Sequence, residues 1–201
     1  MSYAIIGFGN VGQALARMFA RKKIEVTVAG RRPPEALVSQ AKAIGPTVIP
    51  ASLQDALKSE ILLLAIPFGG YQDLARGGAS WQGKIVIDVT NAFGVPPEEL
   101  DGLPSSVVIS KALTGARLVK AFNHLPAQKL AEDPDIKGGR RVIFLSSDDE
   151  KAAEQAAALV EQLGFAPVKL GKLAEGGLLV QARGNTWAQL IFQDFIKFEN
   201  K

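Results

Sequence analysis

The first twelve residues constrain this chain more than any other stretch. Tyr3-Ala4-Ile5-Ile6 is a short apolar run suited to a strand buried on both faces. Gly7, Gly9 and Gly12 follow at G-x-G-x-x-G spacing, and Val11, Ala14, Leu15, Met18 and Phe19 then recur every three or four residues, as on one face of a helix. Strand, glycine turn and helix in that order are the context in which the spacing means dinucleotide binding rather than a turn that binds nothing. Gly7 would make the tight turn, Gly9 would let backbone approach a pyrophosphate, and Gly12 would let the helix pack closely on the strand. The anion would meet unpaired N–H groups and the positive end of the helix dipole.

The second strand adds the selective half. Ile24-Glu25-Val26-Thr27-Val28-Ala29 is rich in β-branched residues and ends at Gly30-Arg31-Arg32. An NAD site has Asp or Glu near this strand end for the ribose 2′-hydroxyl, and an NADP site replaces it with Arg. Two adjacent guanidinium groups can grip a 2′-phosphate by charge-assisted forks, although adjacent arginines also occur as a solvated surface pair. The expected cofactor is therefore NADP(H).

Composition narrows the remaining classes. Hydrophobic residues make up 47% of the 201, charged residues 21%, so a packed core is expected rather than disorder. The net charge of +3 is scattered, which suits anionic small molecules and argues against nucleic acid as a partner. The absence of cysteine excludes disulfides, thiolate chemistry and cysteine-ligated metals. No apolar run reaches the length of a membrane span, and the first strand begins almost at Met1, so neither a membrane nor a signal peptide is expected and the simplest setting is cytoplasmic.

Taken in order, the pattern predicts strands at 3–6, 24–30, 47–50, 61–66, 84–89, 118–122, 141–145 and 167–170. Helical segments fall between them, at about 34–43, 52–58, 71–76, 105–117 and 148–163. Ser52, and Asp148 or Asp149, stand where N-caps belong. Short alternating strands and helices predict an α/β fold, Rossmann-like and doubly wound with a mostly parallel sheet. A Rossmann domain over 1–172 would be followed by a C-terminal helical extension over 173–201, with a helix from about Ala174 to Phe198. Around that helix Gln189, Gln193, Asp194 and Lys197 gather on one side. Trp187, Ala188, Ile191, Phe192, Phe195, Ile196 and Phe198 sweep across the other. This arc is roughly 180° wide, broader than a single packing surface needs, and it predicts either deep burial on the parent domain or a homodimer.

These features together resemble a family. The N-terminal GFGNVG, the GRR after strand two, Ala65-Ile66-Pro67-Phe68 and the stretch Lys120-Ala121-Phe122-Asn123-His124-Leu125-Pro126-Ala127 fall in the order seen in the NADP oxidoreductase, coenzyme F420-dependent family. Its members also resemble the cytosolic domain of metalloreductases. The resemblance implies hydride transfer between NADPH and a small-molecule acceptor, a flavin or deazaflavin ring such as coenzyme F420. It places Gly7, Phe8, Gly9, Asn10, Val11 and Gly12 at the pyrophosphate, and Arg31 and Arg32 at the 2′-phosphate. Ala65, Ile66 and Pro67 would line the adenosine-ribose side, with Asn91, Ala121 and Asn123 near the nicotinamide. Each of these follows a strand, at the edge where such sheets bind ligands. Asn123 and His124 are the candidates for orienting the acceptor. Several family members carry a histidine where Asn123 stands and a hydroxylic residue where His124 stands, which leaves the acceptor open. His124 is the only histidine, and a lone histidine is more often structural than catalytic, although this one follows a strand end in a Pro-bounded loop. Asn91 and Asn123 are equally compatible with ordinary loop chemistry. No Ser/His/Asp set, carboxylate pair or metal-ligand cluster points to another mechanism. Two alternatives stand beside hydride transfer to a flavin-like ring: a non-enzymatic NADP(H) sensor, and a reductase of another small substrate, against which the lack of a Tyr-x-x-x-Lys pair argues.

Overall fold

A computed structural model describes residues 1–182 and 193–198. Strand β1 (Tyr3–Ile6) is flanked by β2 (Val26–Ala29), then β3 (Val48–Pro50), on one side. On its other side lie β4 (Ile61–Leu64), β5 (Ile85–Asp88) and β6 (Arg117–Ala121). The order β3-β2-β1-β4-β5-β6, all parallel, is the doubly wound arrangement, and its switch point falls between β1 and β4.

The strands are apolar because both faces are covered. Ile5, Leu63, Ile87 and Val119 point into one core with Leu15, Met18 and Phe19 of α1 (Asn10–Arg21) and Leu159 and Val160 of α7 (Glu150–Gln162). Their neighbours Ala4, Ile6, Leu62, Leu64, Val86 and Leu118 point into the other, with Trp81, Leu74 of α4 (Tyr71–Arg76) and Ile109 of α5 (Ser105–Ala112). The period of two along each strand sorts these residues between the layers. Helix α2 (Val38–Ile44) follows a 3-10 turn at Pro34–Leu37. Ser52 caps α3 (Leu53–Ala56) by accepting the Asp55 N–H. Asp149 rather than Asp148 caps α7, taking the Ala152 N–H, while Asp148 takes the N–H of Leu173.

Three expectations are corrected. Helix α5 ends at Ala112 instead of Arg117, because Leu113 leaves helical geometry, Gly115 turns left-handed at φ +91°, and Arg117 already begins β6. Two elements were not anticipated: α6 (Ala127–Ala131) and the short β7 (Asp135–Ile136). The third correction is the long C-terminal helix. Its first part is the four-residue α8 (Gly176–Leu179), and Ile196–Phe198 is β10, antiparallel to the nine-residue β8 (Gly139–Ser147), which also pairs β6 and, in parallel, β9 (Ala166–Lys169). Trp187, Ala188, Gln189, Leu190, Ile191 and Phe192 lie outside the described residues.

Tertiary pairing overrides the helical pattern at 193–198. Arg141 of β8 is 2% exposed and forks onto Asp194, Nε–Oδ1 2.6 Å and Nη2–Oδ2 3.1 Å, while Glu132 and two backbone carbonyls take its other N–H groups. The Val142 N–H donates to the Phe195 carbonyl, and the Phe195 ring meets Phe144 edge-on. No helix among the described residues is long and apolar enough to cross a membrane.

Around β1 the packing is tightest. Gly7, at φ +101°, is so close to β4 that a Cβ there would lie 2.3 Å from the Ala65 carbonyl oxygen, and a Cβ on Gly12 would lie 1.9 Å from that of Gly7. Around a Cβ on Gly9 there is nothing within 4 Å. Gly12→Ala should therefore lower stability by about 1–3 kcal/mol or more, since backbone rather than a flexible side chain must move, whereas Gly9→Ala should change it by less than about 0.5 kcal/mol. Urea midpoints of the two variants check this; a Gly12→Ala variant as stable as the parent would show that α1 can shift freely on β1.

Candidate functional site

The glycine turn opens α1 without any side-chain cap. Gly9 is the N-cap in extended geometry, no acidic residue stands in the first turn, and the first bond of the helix is the Gln13 N–H to the Gly9 carbonyl. The N–H groups at 10–12 precede that bond and have no partner within the helix, so the end is prepared for an anion. A cleft of about 460 Å³ begins here, lined by Gly7, Phe8, Gly9, Gly30, Arg31, Arg32, Ala65, Ile66 and Pro67, with Leu37, Leu53 and Leu74 as its apolar wall. It lies at the switch point because Gly7 and Ala65 leave β1 and β4 side by side, the Gly7 N–H donating to Ala29 and the Ala65 N–H to Ile6. Arg31 and Arg32 are exposed on its rim, and the Arg32 guanidinium donates to Gln40 Oε1 at 2.7 Å. The cleft fits a dinucleotide phosphate: open space over Gly9, free donors behind it, and two cations at its lip.

A second depression of about 400 Å³ lies at the amino edge of the sheet and includes Lys58, Glu60, Lys84 and Arg117. Its charges are already engaged, Lys58 with Asp55, Arg117 with Asp149, Glu60 with the N-terminus, and Lys84 with the Ser59 carbonyl. It offers no comparable free donors. Among the described residues no three carboxylate or imidazole groups cluster as metal ligands.

Further along the carboxyl edge the structure brings Asn91 and Asn123 together. Asn91 Nδ2 donates to the Asn123 carbonyl at 2.9 Å, and Asn123 Nδ2 donates to Asn91 Oδ1 at 3.1 Å and to the Val180 carbonyl at 2.6 Å. Asn123 Oδ1 is buried and has no hydrogen-bond partner among the described residues, as does Thr90 Oγ1. Ala121 ends β6 fully buried, and Phe122 then turns left-handed at φ +64° with its ring in the core. That conformation costs a residue with a Cβ about 1–2 kcal/mol, offset here by burial of the ring, and it redirects the chain toward Asn91.

Beneath the asparagines lies an ion pair that motif reading misses. Asp88 and Lys120 are register partners on β5 and β6, both fully buried, with Nζ–Oδ2 at 3.0 Å. Asp88 also accepts the Thr90 N–H at 2.9 Å and the Ser106 hydroxyl at 2.8 Å, and Lys120 also donates to the Thr90 carbonyl. The Thr90 residue is thus held on both sides, one position before Asn91. Burial pulls the Lys120 ammonium below the ordinary lysine range, and Asp88 opposes it. The available signal was a lysine inside the otherwise apolar Leu118–Phe122 run, matched by an aspartate at the corresponding place in the preceding strand.

His124 is not brought to the ligand edge. It is 1% exposed, its Nε2 meets the Val142 carbonyl at 3.2 Å, and its ring packs on Phe144. The side chain after Asn123 is thus placed against Val142 and Phe144, apart from the Asn91–Asn123 contact. Burial lowers its pKa to about 4, with the Val142 contact and Asp194 opposing. An unfolded chain protonates histidine near pH 6.5, so stability present above that pH drains away as pH falls toward 4, by about 3 kcal/mol at the limit. Urea unfolding between pH 7 and pH 4.5 should show this slope in the parent and not in His124→Gln; equal slopes would assign the titration to other groups.

Residues 2–92 match the model of a family described as NADP oxidoreductase coenzyme F420-dependent. A hypothetical protein of Sinorhizobium meliloti is 40% identical, with 98% of this chain and 96% of that chain covered and a TM-score of 0.90. A protein of Arthrobacter sp. FB24, described as an F420-dependent NADP-reductase, is 28% identical over 86% of each chain with a TM-score of 0.70. Metalloreductase STEAP2 of Mus musculus is 29% identical over 178 residues, which are 87% of this chain and 34% of that protein. The chain thus spans about a third of the length of the curated relatives it matches. Residues 2–92, which carry the glycine turn and the arginine pair, are thus similar to the NADP oxidoreductase, coenzyme F420-dependent family, and NADP(H) is the cofactor that this similarity supports.

Proposed function

We propose that the protein is an oxidoreductase that transfers a hydride between NADP(H) and a flavin or deazaflavin ring. The observation that carries this reading is the pair Arg31 and Arg32 on the lip of the glycine cradle, with no carboxylate bridged to either among the described residues. The family description and the Arthrobacter relative support the deazaflavin. The bound nicotinamide supplies the hydride chemistry, which requires no protein acid or base. In this reading the backbone of Gly7 to Gly12, including Phe8, Asn10 and Val11, receives the pyrophosphate. Arg31 and Arg32 receive the 2′-phosphate, and Ala65, Ile66 and Pro67 border the adenosine-ribose side. Asn91 and Asn123 hold the nicotinamide end with neutral amides, Asn123 Oδ1 being an acceptor aligned by two hydrogen bonds from its own Nδ2.

Calorimetry should find NADPH bound in preference to NADH, with Arg31→Ala or Arg32→Ala costing about 1.5–3 kcal/mol of NADPH affinity and little of NADH affinity. Equal affinities in the parent would remove the basis for an NADP site at these arginines. For the acceptor, NADPH oxidation is measured with FMN, FAD, coenzyme F420 and ferric chelates. Turnover with a flavin-type ring, lowered severalfold or more in Asn123→Ala at saturating NADPH, is the expected result. Tight NADPH binding with no turnover on any of them would instead make the protein an NADP(H) sensor.

A further inference from the structure

We infer that Gln40 is a positioning residue for cofactor selection: it presets the Arg32 guanidinium for a 2′-phosphate without cancelling its charge. The inference rests on the proposed phosphate role of the arginine pair. Arg32 is exposed on a turn, and a free arginine there would spread over many rotamers. Its Nη2 donates to Gln40 Oε1 at 2.7 Å. Gln40 is itself anchored, because it sits inside α2 next to Ala41, which is 1% exposed, and Leu37 one turn earlier is equally buried. The arginine is therefore tied to the domain core through one helix.

The chemistry of the tie matters as much as its position. An amide oxygen takes one of the five guanidinium N–H groups and leaves four, with the full positive charge, for an incoming dianion. A carboxylate at position 40 would hold Arg32 more tightly but would neutralise it and compete with the phosphate. Glu35, the acidic residue nearest in sequence, forms no ion pair with either arginine among the described residues. Ordering one long side chain before the ligand arrives removes part of the cost of binding, of a size that corresponds to roughly two- to tenfold in affinity.

The test uses NADPH and NADH, and the fragments 2′,5′-ADP and 5′-AMP, which differ only in the 2′-phosphate. Binding to the parent, Gln40→Ala, Gln40→Glu and Arg32→Ala is measured by calorimetry. Gln40→Ala should weaken NADPH and 2′,5′-ADP roughly two- to tenfold, and Gln40→Glu should weaken them further. NADH and 5′-AMP should be unaffected in both. Combining Gln40→Ala with Arg32→Ala should be no worse than Arg32→Ala alone, since the two act as one unit. Unchanged NADPH affinity in both Gln40 variants would overturn the inference, as would equal losses for 5′-AMP, which would mark a distorted cleft. A parent that does not distinguish NADPH from NADH would overturn the underlying reading instead.

Discussion

The architecture depends on a backbone interlock at the end of β1. The Gly7 carbonyl sits where a Cβ on Gly12 would be, and the Ala65 carbonyl sits where a Cβ on Gly7 would be. Strand β1, helix α1 and strand β4 are thereby drawn closer than any side chain allows, and α1 is aimed so that its amino end opens at the switch point. Everything at the cofactor cleft follows from this contact. The arginines reach its lip because β2 runs parallel beside β1, and the wall at Ala65 to Pro67 is there because β4 runs beside it on the other side.

The other end of the sheet is organised by charge. Asp88 and Lys120 are fully buried, and such a pair is weak evidence for stability, because the desolvation of two ions offsets most of their attraction. What the pair does with its remaining bonds is geometric. It engages the N–H and carbonyl of Thr90 and the hydroxyl of Ser106, so the strand-end loop and α5 are both fixed to it. Helix α5 in turn donates the Ser105 N–H to Gln181, next to the Val180 carbonyl that receives Asn123. Val180 and Gln181, just after α8, are thus tied by polar contacts to the residues that follow β6 and that open α5.

How much of this was legible in the sequence divides along the same line. The glycine turn, the individual strands of the parallel sheet and the Arg31-Arg32 lip are local: each is encoded within a dozen residues, and the apolar strands read correctly because burial on both faces leaves no competing pattern. The Asp88–Lys120 pair joins residues 32 positions apart and depends on the register of β5 against β6, which no local window contains. His124 read as a site residue because it follows a strand, but the left-handed turn at Phe122 changes which way the chain faces, and nothing in an aromatic residue announces that conformation. At 193–198 a stripe compatible with a helix was overridden by a buried arginine on β8 and by an open strand edge. Those two features, rather than periodicity, decide the local structure.

The two ends of the candidate site therefore use charge in opposite ways, and the proposed chemistry gives a reason. Phosphate groups keep their charge throughout the reaction, so exposed cations and unpaired helix N–H groups can be left open to them without biasing its course. The nicotinamide ring changes formal charge when a hydride leaves or arrives. A free ion beside it would favour one redox state over the other, by an amount that grows as water is excluded. Where the proposed reading seats the ring, the ions Asp88 and Lys120 are turned inward and bonded to each other, and the groups at the edge are the neutral amides Asn91 and Asn123. On the proposed reading, a site built in this way would bind by its phosphate end and leave the redox balance of the ring to the acceptor it meets.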